Sequence, residues 1–119
     1  MAGYRELIVW QKAMSLVEEI YRLVKLLPKE ETYALSDQMR RAAVSIPSNI
    51  AEGHGRNSDR EFLRFLSIAQ GSRAEIDTQI EICIRLNYIS QEQAITAKCL
   101  SDEVGKMLHT MIKKLSTSS

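Results

Sequence analysis

Arg56, Arg60 and Arg64 recur every four residues, with Arg40 and Arg41 a short way upstream. Guanidinium groups at that spacing share one side of a helix, where a row of them can grip phosphate oxygens or an acidic protein surface. Ion pairing with Glu52, Glu61 and the acidic stretch that follows can equally consume the row, and the sequence leaves both uses open. The arginines read as a row without an interleaved aromatic residue on which a base can stack.

Gly53-His54-Gly55 lies just ahead of the row and has the outline of an anion-binding turn. Asp59 and Glu61 argue against that use, because their carboxylates occupy the first turn of the next helix and already meet its positive dipole end. No lysine follows the glycines and no strand pattern precedes them, so neither nucleotide-binding fingerprint is met. The two histidines, His54 and His109, have no cysteine or carboxylate at recognised ligand spacing, and no glutamate is followed three residues later by histidine, as a di-iron bundle requires. Ser45 with Glu52 lacks a third group to orient a nucleophile. The expectation is a protein with no catalytic residue, no metal ligand and no cofactor.

Charge is balanced overall and uneven locally. Sixteen Lys and Arg face fifteen Asp and Glu, a net +1 that supplies no general attraction to nucleic acid. Between Arg40 and Arg73, six arginines outnumber three acids; between residues 74 and 105, six acids outnumber two bases. A bundle with polarised ends is expected.

The elements that position these groups follow from apolar periodicity. A length of 119 residues, 45% hydrophobic and 26% charged, suits one ordered domain over 1–119, with a core over about 4–115 and a frayed polar tail at 116–119. No apolar run reaches the roughly 18 to 20 residues of a membrane span, and the N-terminal stretch meets Arg5, Glu6, Gln11 and Lys12 too soon for a secretion signal, so a cytoplasmic address is expected. Cys83 and Cys99 fall inside helical patterns and are expected as free, buried thiols.

Four helices are predicted. The first, about Glu6 to Leu27, carries Trp10, Ala13, Val17, Ile20, Val24 and Leu27 on one stripe and ends at Pro28. The second, about Glu31 to Glu52, carries Leu35, Met39, Ala42, Ala43, Ile46 and Ile50, with Gly53 and Gly55 as left-handed terminators. Ser58 and Glu61 form a capping box for the third, which runs through Phe62, Phe65, Leu66, Ala69, Ile76, Ile80 and Cys83 to a left-handed Asn87. Ser90 and Gln93 open the fourth, which continues through Val104, Met107, Leu108, Met111 and Leu115. Short connections between long helices favour an all-α, antiparallel up-down-up-down four-helix bundle.

Within the second helix, Pro47 is expected to kink the rod, with Ser45, Ser48 or Asn49 available to satisfy freed backbone groups. Arg41, Ser45, Asn49 and Glu52 follow helical spacing along a second, polar stripe. This stripe faces Ser67, Gly71, Ser72 and Glu75 of the third helix as a polar seam that fixes register, with Gly71 permitting close approach.

Three stretches carry a family resemblance: "VWQKAMSLVEEIYRLV", "LSDQMRRAAVSIPSNIAEGHGR" and "EFLRFLSIAQGSRAEIDTQI". In that order they resemble the motifs of the four-helix-bundle proteins encoded in intervening sequences of bacterial 23S ribosomal RNA genes, the ribosomal S23-like family, over about Tyr4 to Leu115. The resemblance implies an antiparallel four-helix bundle, a homopentameric ring and no enzymatic activity. His54 stands where the family often has an aromatic residue, and Gln70 where a basic one is frequent. A related branch, the accessory variability determinant proteins of retroelements, forms pentameric barrels and binds a reverse transcriptase and nucleic acid through a strongly basic surface. The near-neutral charge of this chain fits that branch poorly.

The residues also point to association. Leu7, Ile8, Val9 and Trp10 run consecutively, and Leu16, Leu23 and Leu26 fall outside the first helix's stripe, so apolar surface is left over for a partner. The expectation is a non-enzymatic, self-associating bundle. Its function is then either a scaffold or accessory role with weak contact to RNA or an RNA-associated protein through Arg40, Arg56, Arg60 and Arg64, or that of a protein-only adaptor.

Overall fold

The computed structural model describes residues 3–118, and every regular element among them is helical. The helices are α1 (Ile8–Val24), α2 (Leu35–His54), α3 (Asp59–Arg85) and α4 (Gln91–Ser118), with single 3-10 turns at Tyr4–Glu6 and Lys29–Glu31. The bundle measures 45 × 22 × 21 Å. Its long axis matches α4, whose 28 residues at about 1.5 Å of rise each span most of it.

Each helix packs on the one that follows it, and α1 closes against α4. Pairs across the interfaces run in opposite senses. Met39, Ser45 and Gly53 of α2 meet Cys83, Ser72 and Phe65 of α3 respectively, so these two helices are antiparallel. Asp77 and Gln70 of α3 meet Ser101 and Gly105 of α4 in the same reversed order.

The core is the buried set Val9, Ala13, Leu16, Ile20, Leu23, Met39, Ala43, Ile46, Ile50, Leu66, Ala69, Ile76, Ile80, Ala94, Ala97, Val104 and Leu108, with others around it. On α1 the buried face keeps Ala13, Ile20, Val24 and Leu27 of the expected stripe and widens to Leu16 and Leu23, against the expectation that these two are left over for a partner. Leu16 and Leu23 are fully buried, whereas Trp10 and Val17 are half-buried and Met14 and Tyr21 are exposed. Two apolar stripes with the same period coexist on this helix, and periodicity alone does not choose between them; the positions of α2 and α4 do.

Helix ends follow local chemistry. Ser90 and Gln93 make both bonds of a capping box, the Ser90 amide donating to Gln93 Oε1 at 2.9 Å and the Gln93 amide to Ser90 Oγ at 3.0 Å. Ser58 Oγ accepts from the Glu61 amide at 3.0 Å, but the Glu61 carboxylate turns to Arg64, so the expected box is only half made. Asn87 holds φ 62 at the end of α3, the left-handed terminator expected of it. α2 starts later than expected, after Glu31 has become part of a 3-10 turn; the Glu31 carboxylate then accepts the Leu35 amide at 3.3 Å and the Tyr88 hydroxyl at 2.8 Å.

Gly53 does not terminate α2. It lies buried inside the helix with no positive φ, and Gly55 likewise sits in the right-handed region at φ −78. Gly53 is a packing glycine, since a Cβ there would stand 2.6 Å from Phe65 Cβ. Upstream, α2 continues unbroken across the buried Pro47. The polar tail is helical as far as Ser118, and the Ser116 and Thr117 hydroxyls bond back to the carbonyls of Ile112 and Lys114. Met1, Ala2 and Ser119, the ends of the expected domain and tail, lie outside the described residues. Both cysteines are free; Cys83 is buried as expected, but Cys99 is exposed, because the buried face of α4 passes through Ala97 and Ser101 on either side of it.

Candidate functional site

Arg56 sits in the turn after α2, and Arg60 and Arg64 follow on the first turns of α3. The row forms, but two of its three members are already paired. Arg56 bonds Glu52 at 2.8 Å and Arg64 bonds Glu61 at 3.1 Å. Between them lies Phe65, with the Arg56 and Arg64 guanidinium carbons 5.2 and 4.5 Å from its ring centroid. An aromatic residue therefore does interleave with the arginines. It is nine-tenths buried, however, and both guanidinium groups cover it, so its face is closed to a base. The Arg64 hydrogen bond, ahead of the more distant Arg56 and Arg60 charges, holds the Glu61 carboxyl below its ordinary range. Arg40 is not part of this corner. It lies on α2, about 24 Å along the helix from Arg56 at 1.5 Å per residue, and donates to the Thr32 carbonyl at 3.2 Å beside Asp37.

The polar seam is shorter than its sequence outline. Ser45 is its centre: Ser72 Oγ donates to Ser45 Oγ at 2.8 Å, and Asn49 Nδ2 donates to the same oxygen at 2.9 Å and to the Ser45 carbonyl at 2.7 Å. Arg41 pairs instead with Asp37 on its own helix at 3.0 Å, and Glu52 with Arg56. Glu75 is exposed and, among the described residues, accepts the Gln79 side-chain amide at 3.3 Å. The backbone of α3 at Gly71 approaches nothing, as a Cβ there would meet no atom within 4 Å. Three of the eight seam residues, Ser45, Asn49 and Ser72, are thus brought together, because α2 and α3 touch along that line while the longer charged side chains reach partners one turn away.

A second polar network between α3 and α4 escaped the sequence reading. Arg73 Nε donates to Gln70 Oε1 at 2.7 Å and Arg73 Nη1 to Asp77 Oδ2 at 2.6 Å. Ser101 Oγ donates to Asp77 Oδ1 at 2.5 Å, and Gln70 Nε2 to the Gly105 carbonyl at 3.0 Å. Gly105 makes room for it, since a Cβ there would lie 2.7 Å from Arg73 Nε. The available signal was Arg73 four residues before Asp77 opposite a mid-helix glycine. Gln70, where the resemblance put a basic residue, here serves as an acceptor for Arg73.

Apolar side chains are exposed on all four helices. Met14 and Tyr21 of α1 and Val44 of α2 lie on adjoining helices, and Tyr21 and Val44 share a groove with Asp37, Arg40 and Arg41. Ile68 and Ile82 are exposed on α3, and Ile8 and Ile95, at 59% each, on α1 and α4. Among the described residues no three His, Cys, Asp or Glu side chains converge as a metal site, and no helix is long and apolar enough to cross a membrane.

The sequence profile of the 23S rRNA-intervening sequence protein family matches residues 5–110, the span that contains α1, α2, α3 and most of α4. The chain belongs to this family. Among solved structures it is similar to a protein of unknown function from the S23 ribosomal protein family of Bacteroides thetaiotaomicron VPI-5482. The two are 32% identical with a TM-score of 0.82, over 89% of this chain and 99% of the other. No curated protein matches it. As a member of the 23S rRNA-intervening sequence family, the chain carries its arginine corner, serine seam and α3–α4 network on the family's four-helix scaffold.

Proposed function

We propose that this family member is a non-enzymatic cytoplasmic scaffold that assembles with copies of itself, in the ring of five that the resemblance implies, and offers RNA a weak electrostatic contact at its arginine corner. The observation that carries the self-assembly is the exposed apolar surface spread over all four helices. Met14, Tyr21 and Val44 are 40, 42 and 41% exposed and lie on neighbouring helices, while Ile68 and Ile82 are 42 and 38% exposed on another. Buried against a second copy, such surface contributes roughly 25 cal/mol per Å².

A protein-only adaptor is the second reading, favoured by the ion pairs at the corner. Glu52 and Glu61 already answer Arg56 and Arg64, so a phosphate has to displace them, whereas Arg60 makes no ion pair among the described residues. Light scattering on the purified chain tests the assembly, with a monodisperse single-chain particle as the refuting result. Titration with ribosomal RNA fragments over a range of salt separates the two readings. RNA contact requires binding that weakens steeply as salt rises, with a slope that flattens when Arg56, Arg60 and Arg64 become alanine. Absence of any shift at low salt leaves the adaptor.

A further inference from the structure

We infer that the groove between the start of α1 and the later turns of α4 binds a free medium-chain fatty carboxylate, with its alkyl chain against Ile8, Met107 and Met111 and its head on Lys106. This goes beyond the scaffold reading and does not depend on it.

The groove has a volume of about 430 Å³, within the roughly 300–1,000 Å³ of small-molecule sites. Leu7, Ile8 and Val9 form one wall, and Met107 and Met111, one turn apart on α4, form the other. Val9 is buried and the two methionines are half-buried against the core, whereas Ile8 stands exposed at the rim. Nothing in α1 itself asks for an isoleucine there. Leu7 holds the N-cap position without a side-chain cap bond, and the first turn carries no acid, so apolar residues occupy places where an acceptor would stabilise the helix. The unbranched thioether side chains opposite adapt to a ligand chain that itself flexes.

Charge selects the head group. Lys106 is the one ionisable side chain lining the groove, and it makes no ion pair among the described residues. The Thr110 hydroxyl, which also lines the groove, already donates to the Lys106 carbonyl at 3.0 Å. Neighbouring acids do not claim the ammonium. Glu103, one turn before Met107, pairs with Lys12 at 2.7 Å. Asp102 lines the adjoining groove with Lys106, Arg73 and His109, and makes no ion pair among the described residues. A single cation at the edge of a hydrocarbon trough matches a molecule with one negative head and an apolar body. A free phosphate leaves the walls unused, and a neutral chain gains nothing from Lys106. Because an exposed ammonium gains only modestly from one carboxylate, the chain supplies most of the affinity and the head sets the selectivity.

The test titrates the full chain, isotope-labelled at its methionine methyl groups, with sodium decanoate below its micelle concentration and follows the methyl signals by NMR. Far-UV circular dichroism verifies helix content in each variant. Met107 and Met111 shift saturably, while the exposed Met14 and the buried Met39 stay in place. Decanol binds about threefold more weakly than decanoate. Lys106→Gln removes that difference, and Lys106→Glu weakens decanoate by about tenfold and turns the preference toward decylammonium. Ile8→Gln, at an exposed position, weakens decanoate and decanol alike. Shifts that are equal at all the methionine methyl groups, decanoate binding that Lys106→Glu leaves unchanged, or the lack of any saturable shift overturn the proposal. So does a wild-type oligomer that Ile8→Gln dissociates, because a second copy then fills the groove.

Discussion

Replacing Gly53 by alanine tests the packing most directly, because the helix propensity and the tertiary fit of that change have opposite signs. Gly53 is buried inside α2 with no positive φ, so alanine fits the backbone and gains up to about 1 kcal/mol of helix propensity. Its methyl group, however, would stand 2.6 Å from Phe65 Cβ and 3.0 Å from Phe62 Cδ1, against the roughly 3.5–4.0 Å at which carbon atoms rest. Phe65 Cβ is fixed to the α3 backbone and cannot rotate away, so the two helices must part by about 1 Å. Overpacking of that kind costs about 1–3 kcal/mol, and after the propensity gain a net loss of up to about 2 kcal/mol remains. Gly71→Ala is the control. With nothing within 4 Å it keeps the propensity gain and raises helix stability by about 0.5–1 kcal/mol. Urea unfolding followed by circular dichroism, repeated at several chain concentrations so that association of copies is separated from the fold, reads both. A Gly53→Ala chain as stable as Gly71→Ala refutes the reasoning.

Four other outcomes follow from the described contacts. Asp77→Ala strips Arg73 and the buried Ser101 of their shared acceptor and lowers stability in urea by about 1–2 kcal/mol, a figure kept small because the Asp77 side chain is 41% exposed; Asp77→Asn recovers part of it. Ser90→Ala removes the acceptor of a fully formed capping box and costs about 1 kcal/mol in the same assay. Burial, with the nearby Glu31 charge, raises the Cys83 thiol from 9.0 to about 11, so the folded chain favours the neutral thiol; stability is unaffected below about pH 9 and falls as pH rises from there through 11, a slope that weakens in Cys83→Ala. In native protein at pH 8, Cys99 reacts with a thiol reagent, and Cys83 reacts only on unfolding.

Much of the scaffold was legible locally. Helix starts at Ser58 and Ser90 and the left-handed stop at Asn87 are decided within four residues of chain, by hydroxyls that accept orphan amides and by a side chain that tolerates positive φ. The buried faces of α2, α3 and α4 follow a single period of apolar residues, and a single period has a single answer. Opposite charges four residues apart, as in Arg56 with Glu52, could also be read without knowing the fold.

What sequence could not decide was every property that depends on the distance and rotation of a neighbouring helix. α1 carries two apolar stripes of equal period, and only the seats of α2 and α4 bury Leu16 and Leu23 while leaving Met14 and Tyr21 outside. Gly53, Gly71 and Gly105 are alike as letters; one admits Phe65, one faces open space and one admits the Arg73 guanidinium, because the helices come closest at two of those places and not at the third. Arg41 and Glu75 share helical spacing with the seam but not its contacts, since a long charged side chain is placed by whichever partner lies within reach. Local chemistry wrote the elements, and the contacts between helices assigned each face its task.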